Sequence, residues 1–119
     1  MMAGIDRKNL GQPDGVEDYG DQGKAEFVTL GEAGFGISNE STVWRSTLNP
    51  GWSWMRNIKP TVPFENCPYH HREYVVSGRI RYTTVDGEVI EAGPGDTLLI
   101  DPGHLAEVIG DEPCVVIDW

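Results

Sequence analysis

"CPYHHREYVVSG", residues 67–78, sets a cysteine and two adjacent histidines ahead of a β-branched run that ends in glycine. The chain's remaining histidine, His104, follows in "PGHLA" at residues 102–106. Thiolate and imidazole together suit Zn²⁺, whereas imidazole with carboxylate suits Fe²⁺, Mn²⁺ or Ni²⁺. Residues an even number apart on a continuous strand project to one side. Cys67 and His71 would then share a face with Glu65 and Glu73, and His70 would point the other way. Pro68 interrupts the segment and works against that alternation, and a buried cysteine is also an ordinary small core residue.

The elements that must position these groups are short strands. From Glu26 onward no segment carries a sustained helical period, and β-rich runs recur between turn signals. Strands are expected at Phe27–Leu30, Ser41–Leu48, Trp52–Ile58, Arg72–Ser77, Ile80–Val85, Glu88–Glu91, Thr97–Ile100, Ala106–Ile109 and Cys114–Asp118. "NPG", "SG", "VDG", "GPGD", "DPG" and "GDEP" separate them, each supplying a glycine or a proline-fixed turn. This predicts an all-β fold, a sandwich or barrel of jelly-roll size. Residues 1–25, rich in Gly, Pro and carboxylates, are expected to form an N-terminal arm, and residues 26–119 the barrel. Several strands are apolar at nearly every position, as in "CVVIDW", so at least one outer sheet face is expected to be covered, most simply by a homodimer.

Composition narrows the partners. With 119 residues, 39% hydrophobic and 24% charged, the chain can bury one core without staples. A formal net charge of −10 argues against nucleic acid, which needs clustered Lys and Arg. No apolar run reaches membrane-span length and no signal-peptide pattern precedes the acidic N-terminal stretch. The two cysteines, Cys67 and Cys114, do not demand a disulfide, and a reduced cytoplasmic location is expected.

"YVVSG" ending at Gly78, "GD" at 95–96, the apolar "TLLI" and "DPG" at 101–103 resemble the two motifs of the cupin family. The upstream "NPGWSWMRNIKP" resembles the strand pair that leads into the first motif, so the likeness spans Ser41–Trp119. The resemblance implies a double-stranded β-helix, the cupin jelly-roll barrel. The family's first motif is written G-x5-H-x-H-x3-4-E-x6-G, and counting back from Gly78 puts His71 at its glutamate, Cys67 at its second histidine and Glu65 at its first. In the second motif the histidine position falls on Ala106, with His104 two residues ahead. None of the four positions keeps its usual residue, yet His71, Cys67, Glu65 and His104 are all groups that bind divalent metals. The chain is also similar to a cupin subgroup reading C-x3-H-x2-YVVSGR.

Two functions follow from the likeness. In one, a divalent metal (Zn, Fe, Mn or Ni) on His71, His104, Cys67 and Glu65 serves isomerase, lyase or oxygenase chemistry on a small organic molecule, with Glu73 and Tyr82 moving protons. In the other, the barrel is a non-catalytic, metal-free ligand-binding or sensing dimer. Trp52, Trp54 and Arg56 are the expected substrate-pocket residues, the tryptophans on one strand face. Arg45, Arg79 and Arg81 are further candidates for fixing a carboxylate, and Tyr69 is a second candidate proton donor.

Overall fold

A computed structural model describes residues 5–31 and 41–119. Among the described residues nine strands form two antiparallel sheets. They are β1 Gly15–Asp18, β2 Gly23–Leu30, β3 Ser41–Leu48, β4 His71–Ser77, β5 Arg79–Thr84, β6 Val89–Ala92, β7 Thr97–Ile100, β8 His104–Ile109 and β9 Cys114–Asp118. The larger sheet runs β1-β2-β3-β9-β4-β7 and the smaller β6-β5-β8. The all-β jelly-roll barrel expected from the turn spacing is what forms. Among the described residues no helix is long and apolar enough to cross a membrane.

Strand alternation sorts side chains between the barrel interior and its outside. On β4, Glu73 and Val75 are buried while Arg72, Tyr74 and Val76 are exposed. On β9, Cys114 and Val116 are buried, with Asp118 next in the same period. Ile80 and Tyr82 of β5 and His104 and Val108 of β8 face them across the barrel. Outside, Tyr74, Val76 and Leu99 are uncovered in the single chain.

One expectation changes. Trp52–Ile58 is not a strand: Trp54–Asn57 forms one turn of helix, α1, followed by a 3₁₀ turn at Lys59–Thr61. Ser53 caps it, its Oγ accepting from Arg56 N at 3.1 Å while Ser53 N donates to Asn57 Oδ1 at 3.0 Å. This reciprocal cap outweighs the apparent period of two in "WSW". Trp52 and Trp54 therefore share no strand face, although both are buried. The stretch expected as an arm contains β1 and the start of β2, and the chain before β1 follows β2. There the carboxylates of Asp14 and Asp6 accept from Thr29 N and Gly31 N at 2.8 Å each.

Gly78 makes the turn from β4 into β5 at φ +74°, and a Cβ there would overlap the Pro113 carbonyl and Cys114 Cα. Left-handed backbone and close approach both require glycine. Gly78→Ala is therefore expected to destabilise the fold by at least about 2 kcal/mol, read as a lowered midpoint in chemical denaturation. An unchanged midpoint would contradict this packing.

Candidate functional site

His71 opens β4 and His104 opens β8, and both side chains enter the barrel. Cys67 joins them through backbone pairing, not through strand alternation. Cys67 N donates to His104 O at 2.9 Å and Gly103 N donates to Cys67 O at 2.7 Å, a bridge of two hydrogen bonds between the two motif segments. The donor atoms of Cys67, His71 and His104 consequently lie within 4.8 Å of one another. The His71 and His104 rings meet edge-on with centroids 5.1 Å apart.

Each histidine is oriented by a second contact. His104 Nδ1 is 2.8 Å from Asp101 O, and because a carbonyl only accepts, Nδ1 donates and Nε2 is the nitrogen turned toward Cys67 and His71. His71 Nε2 is 3.4 Å from Cys67 Sγ, and its Nδ1 is 3.4 Å from Asp118 Oδ1. The Asp118 contact is electrostatic, since Oδ1 forms no hydrogen bond and is a buried orphan acceptor. Glu73 sits opposite Asp118 in the β4–β9 register, and His71, Glu73 and Asp118 form a second close trio. Tyr82 donates its hydroxyl to Glu73 Oε1.

The electrostatics follow from these contacts. Burial opposes ionisation of Cys67, but hydrogen bonds to His104 and His71 outweigh it and bring the thiol down to about 6. Burial likewise opposes charge on His71, but Asp118 and Cys67 push it up to about 10. Burial first, then the charge of Asp118, pushes Glu73 up to about 8, and burial holds Tyr82 well above the usual phenol. Cys114, buried beside Glu73, is pushed up to about 12. Without metal, Cys67 and His71 thus form a thiolate–imidazolium pair at neutral pH.

These groups line one end of a cavity of about 600 Å³ that also touches Trp52, Trp54 and Tyr82. Two expected residues lie elsewhere. Glu65 is 84% exposed and pairs with Lys59 at 3.2 Å, because the chain between residues 65 and 70 is not a strand and the alternation linking it to Cys67 does not hold. Arg56 is exposed and donates to Gly51 O at 3.1 Å, since α1 turns it away from the cavity. Arg45, Arg79 and Arg81 are taken up by Glu26, Glu91 and Glu107, and Tyr69 is exposed at the cavity rim. His70 is exposed, yet it too lies on the cavity wall. Asp118 was the residue sequence reasoning missed, although the alternation Cys114, Val116, Asp118 carried its inward direction.

A family model described as "Cupin domain" matches residues 58–119. The chain belongs to the cupin family. Among solved structures, a mutant of Bacillus subtilis oxalate decarboxylase is similar at 23% identity and TM-score 0.58, covering 90% of this chain and 26% of that one. Lactobacillus farciminis oxalate decarboxylase in a formate complex is similar at 17% identity and TM-score 0.59, covering 87% and 30%. A further Bacillus subtilis oxalate decarboxylase structure, whose title concerns Mn(II) centres, matches at 23% identity and TM-score 0.56, covering 92% and 27%. The chain thus spans roughly a quarter to a third of these neighbours, and at such identities the likeness is one of fold. No curated protein matches.

In metal-free protein, thiolate absorbance in the ultraviolet is expected to rise with a midpoint near pH 6, the value to which Cys67 is drawn, and to vanish in Cys67→Ser. Because the folded thiol ionises below its unfolded value, its contribution to stability builds above that midpoint and is lost as pH falls through it. His71, raised instead, loses its contribution as pH rises through about 10. A midpoint at the ordinary thiol value would contradict the Cys67–His71 contact.

Proposed function

We propose that this cupin holds one divalent ion on Cys67, His71 and His104 and binds a small organic molecule in the adjoining cavity. The observation that carries this reading is the convergence of three donor groups whose histidines are each turned inward by an outer partner, Asp101 O for His104 and Asp118 for His71. Outer-shell acceptors of this kind orient metal-binding imidazoles and raise their basicity. The donor set fits a metal, and one thiolate with two imidazoles favours zinc over manganese, which prefers oxygen. The oxalate decarboxylase neighbours support a barrel able to carry a divalent ion, and no particular reaction.

Three protein ligands leave a position for ligand or water, so a bound ion would supply Lewis acidity there. The surrounding residues have roles of their own. Glu73, buried with its proton retained near neutral pH, is placed to donate a proton into the cavity. Tyr82, bonded to Glu73, fixes the carboxyl's orientation. Asp118 holds the His71 ring in place by its charge. These roles suit an isomerase or lyase acting by proton transfer; zinc has no redox chemistry with which to serve an oxygenase.

Metal analysis of untagged protein is the test. About one divalent ion per chain is expected, lost in His71→Ala and in His104→Ala, whereas Glu65→Ala keeps it. Metal-free protein with an undiminished fold would overturn this reading and favour a non-catalytic ligand-binding barrel.

A further inference from the structure

The cavity wall contains no lysine or arginine among the described residues. Its acidic side chains are Glu17, Glu73 and Asp118, and its basic ones are three histidines, of which His71 lies between Cys67 and Asp118. Trp44, Trp52, Trp54 and Tyr19 supply much of the remaining wall. At the rim, Phe64, Tyr69 and Trp119 line the cavity while remaining exposed, so an apolar collar surrounds the entrance. Nearby bases are spent elsewhere, Arg45 on Glu26 and Arg79 and Arg81 on Glu91.

From this composition we infer that the cavity selects an uncharged, largely aromatic molecule and rejects small carboxylate anions. The inference rests on reading the cavity as a small-molecule site, and it is independent of the metal. A carboxylate entering the cavity meets no lysine or arginine, finds the His71 ring already held by Cys67 and Asp118, and loses its hydration, a cost that only pairing offsets. An ion at the three-residue site would itself attract carboxylates, so the selection is a property of the protein wall and is read in the chelator-treated chain.

Organic cations are disfavoured for a different reason. Each acid lies against another wall residue: Asp118 Oδ1 faces His71 Nδ1 at 3.4 Å, Glu73 accepts from Tyr82, and Glu17 accepts from Tyr19 Oη at 2.8 Å. Aromatic rings, by contrast, find tryptophan and tyrosine faces to stack on and an apolar route inward. A volume of about 600 Å³ lies within the range of drug-sized ligand pockets, well beyond what a two-carbon acid fills.

Calorimetric titration with acetophenone, benzoate, benzylammonium and oxalate, on metal-loaded and chelator-treated full chain, tests the inference. Acetophenone is expected to bind in both states and, in the chelator-treated chain, about tenfold or more tighter than benzoate or benzylammonium, with no saturable heat from oxalate there. Phe64→Ser with Tyr69→Ser, both at exposed positions, should weaken acetophenone at least several-fold while leaving the melting transition in place. Oxalate, benzoate or benzylammonium binding the chelator-treated chain as tightly as acetophenone, acetophenone failing to bind, or rim variants binding it unchanged would each overturn the inference. Metal content, measured on the same samples, reports separately on the metal site.

Discussion

Two backbone hydrogen bonds between Cys67 and the Gly103–His104 segment tie the two halves of the site together. They fix a non-strand stretch of the first motif against the start of β8, and so place a thiol beside two imidazoles that belong to different sheets. β4 brings His71 and Glu73 in on the larger sheet, β9 adds Asp118 in register beside Glu73, and β8 with β5 brings His104 and Tyr82 from the smaller one. The contacts of Cys67 with both histidines depend on that closure. If the Cys67 bridge opened, Cys67 would lose both histidine contacts and the trio would reduce to two separate rings.

Much of the fold was legible because strands here are short and closely punctuated. Ser41–Leu48, Thr97–Ile100 and Cys114–Asp118 form where the glycine and proline turns bound them. Trp52–Ile58 misled because two tryptophans two apart imitate strand alternation, while the reciprocal bonds of Ser53 and Asn57 that make α1 are a local side-chain effect. Spacing from Gly78 gave His71 correctly as an inward residue, since β4 is continuous from His71 to the turn.

The same spacing failed one step further upstream. Between Glu65 and His71 the chain is not a strand, so alternation predicts nothing there, and Glu65 ends in solvent on Lys59. Cys67 is inward nonetheless, for the long-range reason of its pairing with His104, which no local pattern encodes. The Asp101 carbonyl that fixes the His104 tautomer is likewise a tertiary feature. Asp118 is the opposite case: its direction followed from β9 alternation, and an acid in an otherwise apolar strand is the signal that points to it.

The proposed donor set differs from an all-nitrogen-and-oxygen site by the sulfur of Cys67. X-ray absorption at the zinc edge of the reconstituted protein reads the ligands directly. One sulfur at about 2.3 Å with two imidazole nitrogens at about 2.0 Å is the expected shell, and Cys67→Ser should remove the sulfur contribution. A shell of nitrogen and oxygen alone in the wild-type protein would contradict the assignment of Cys67, His71 and His104 to one ion.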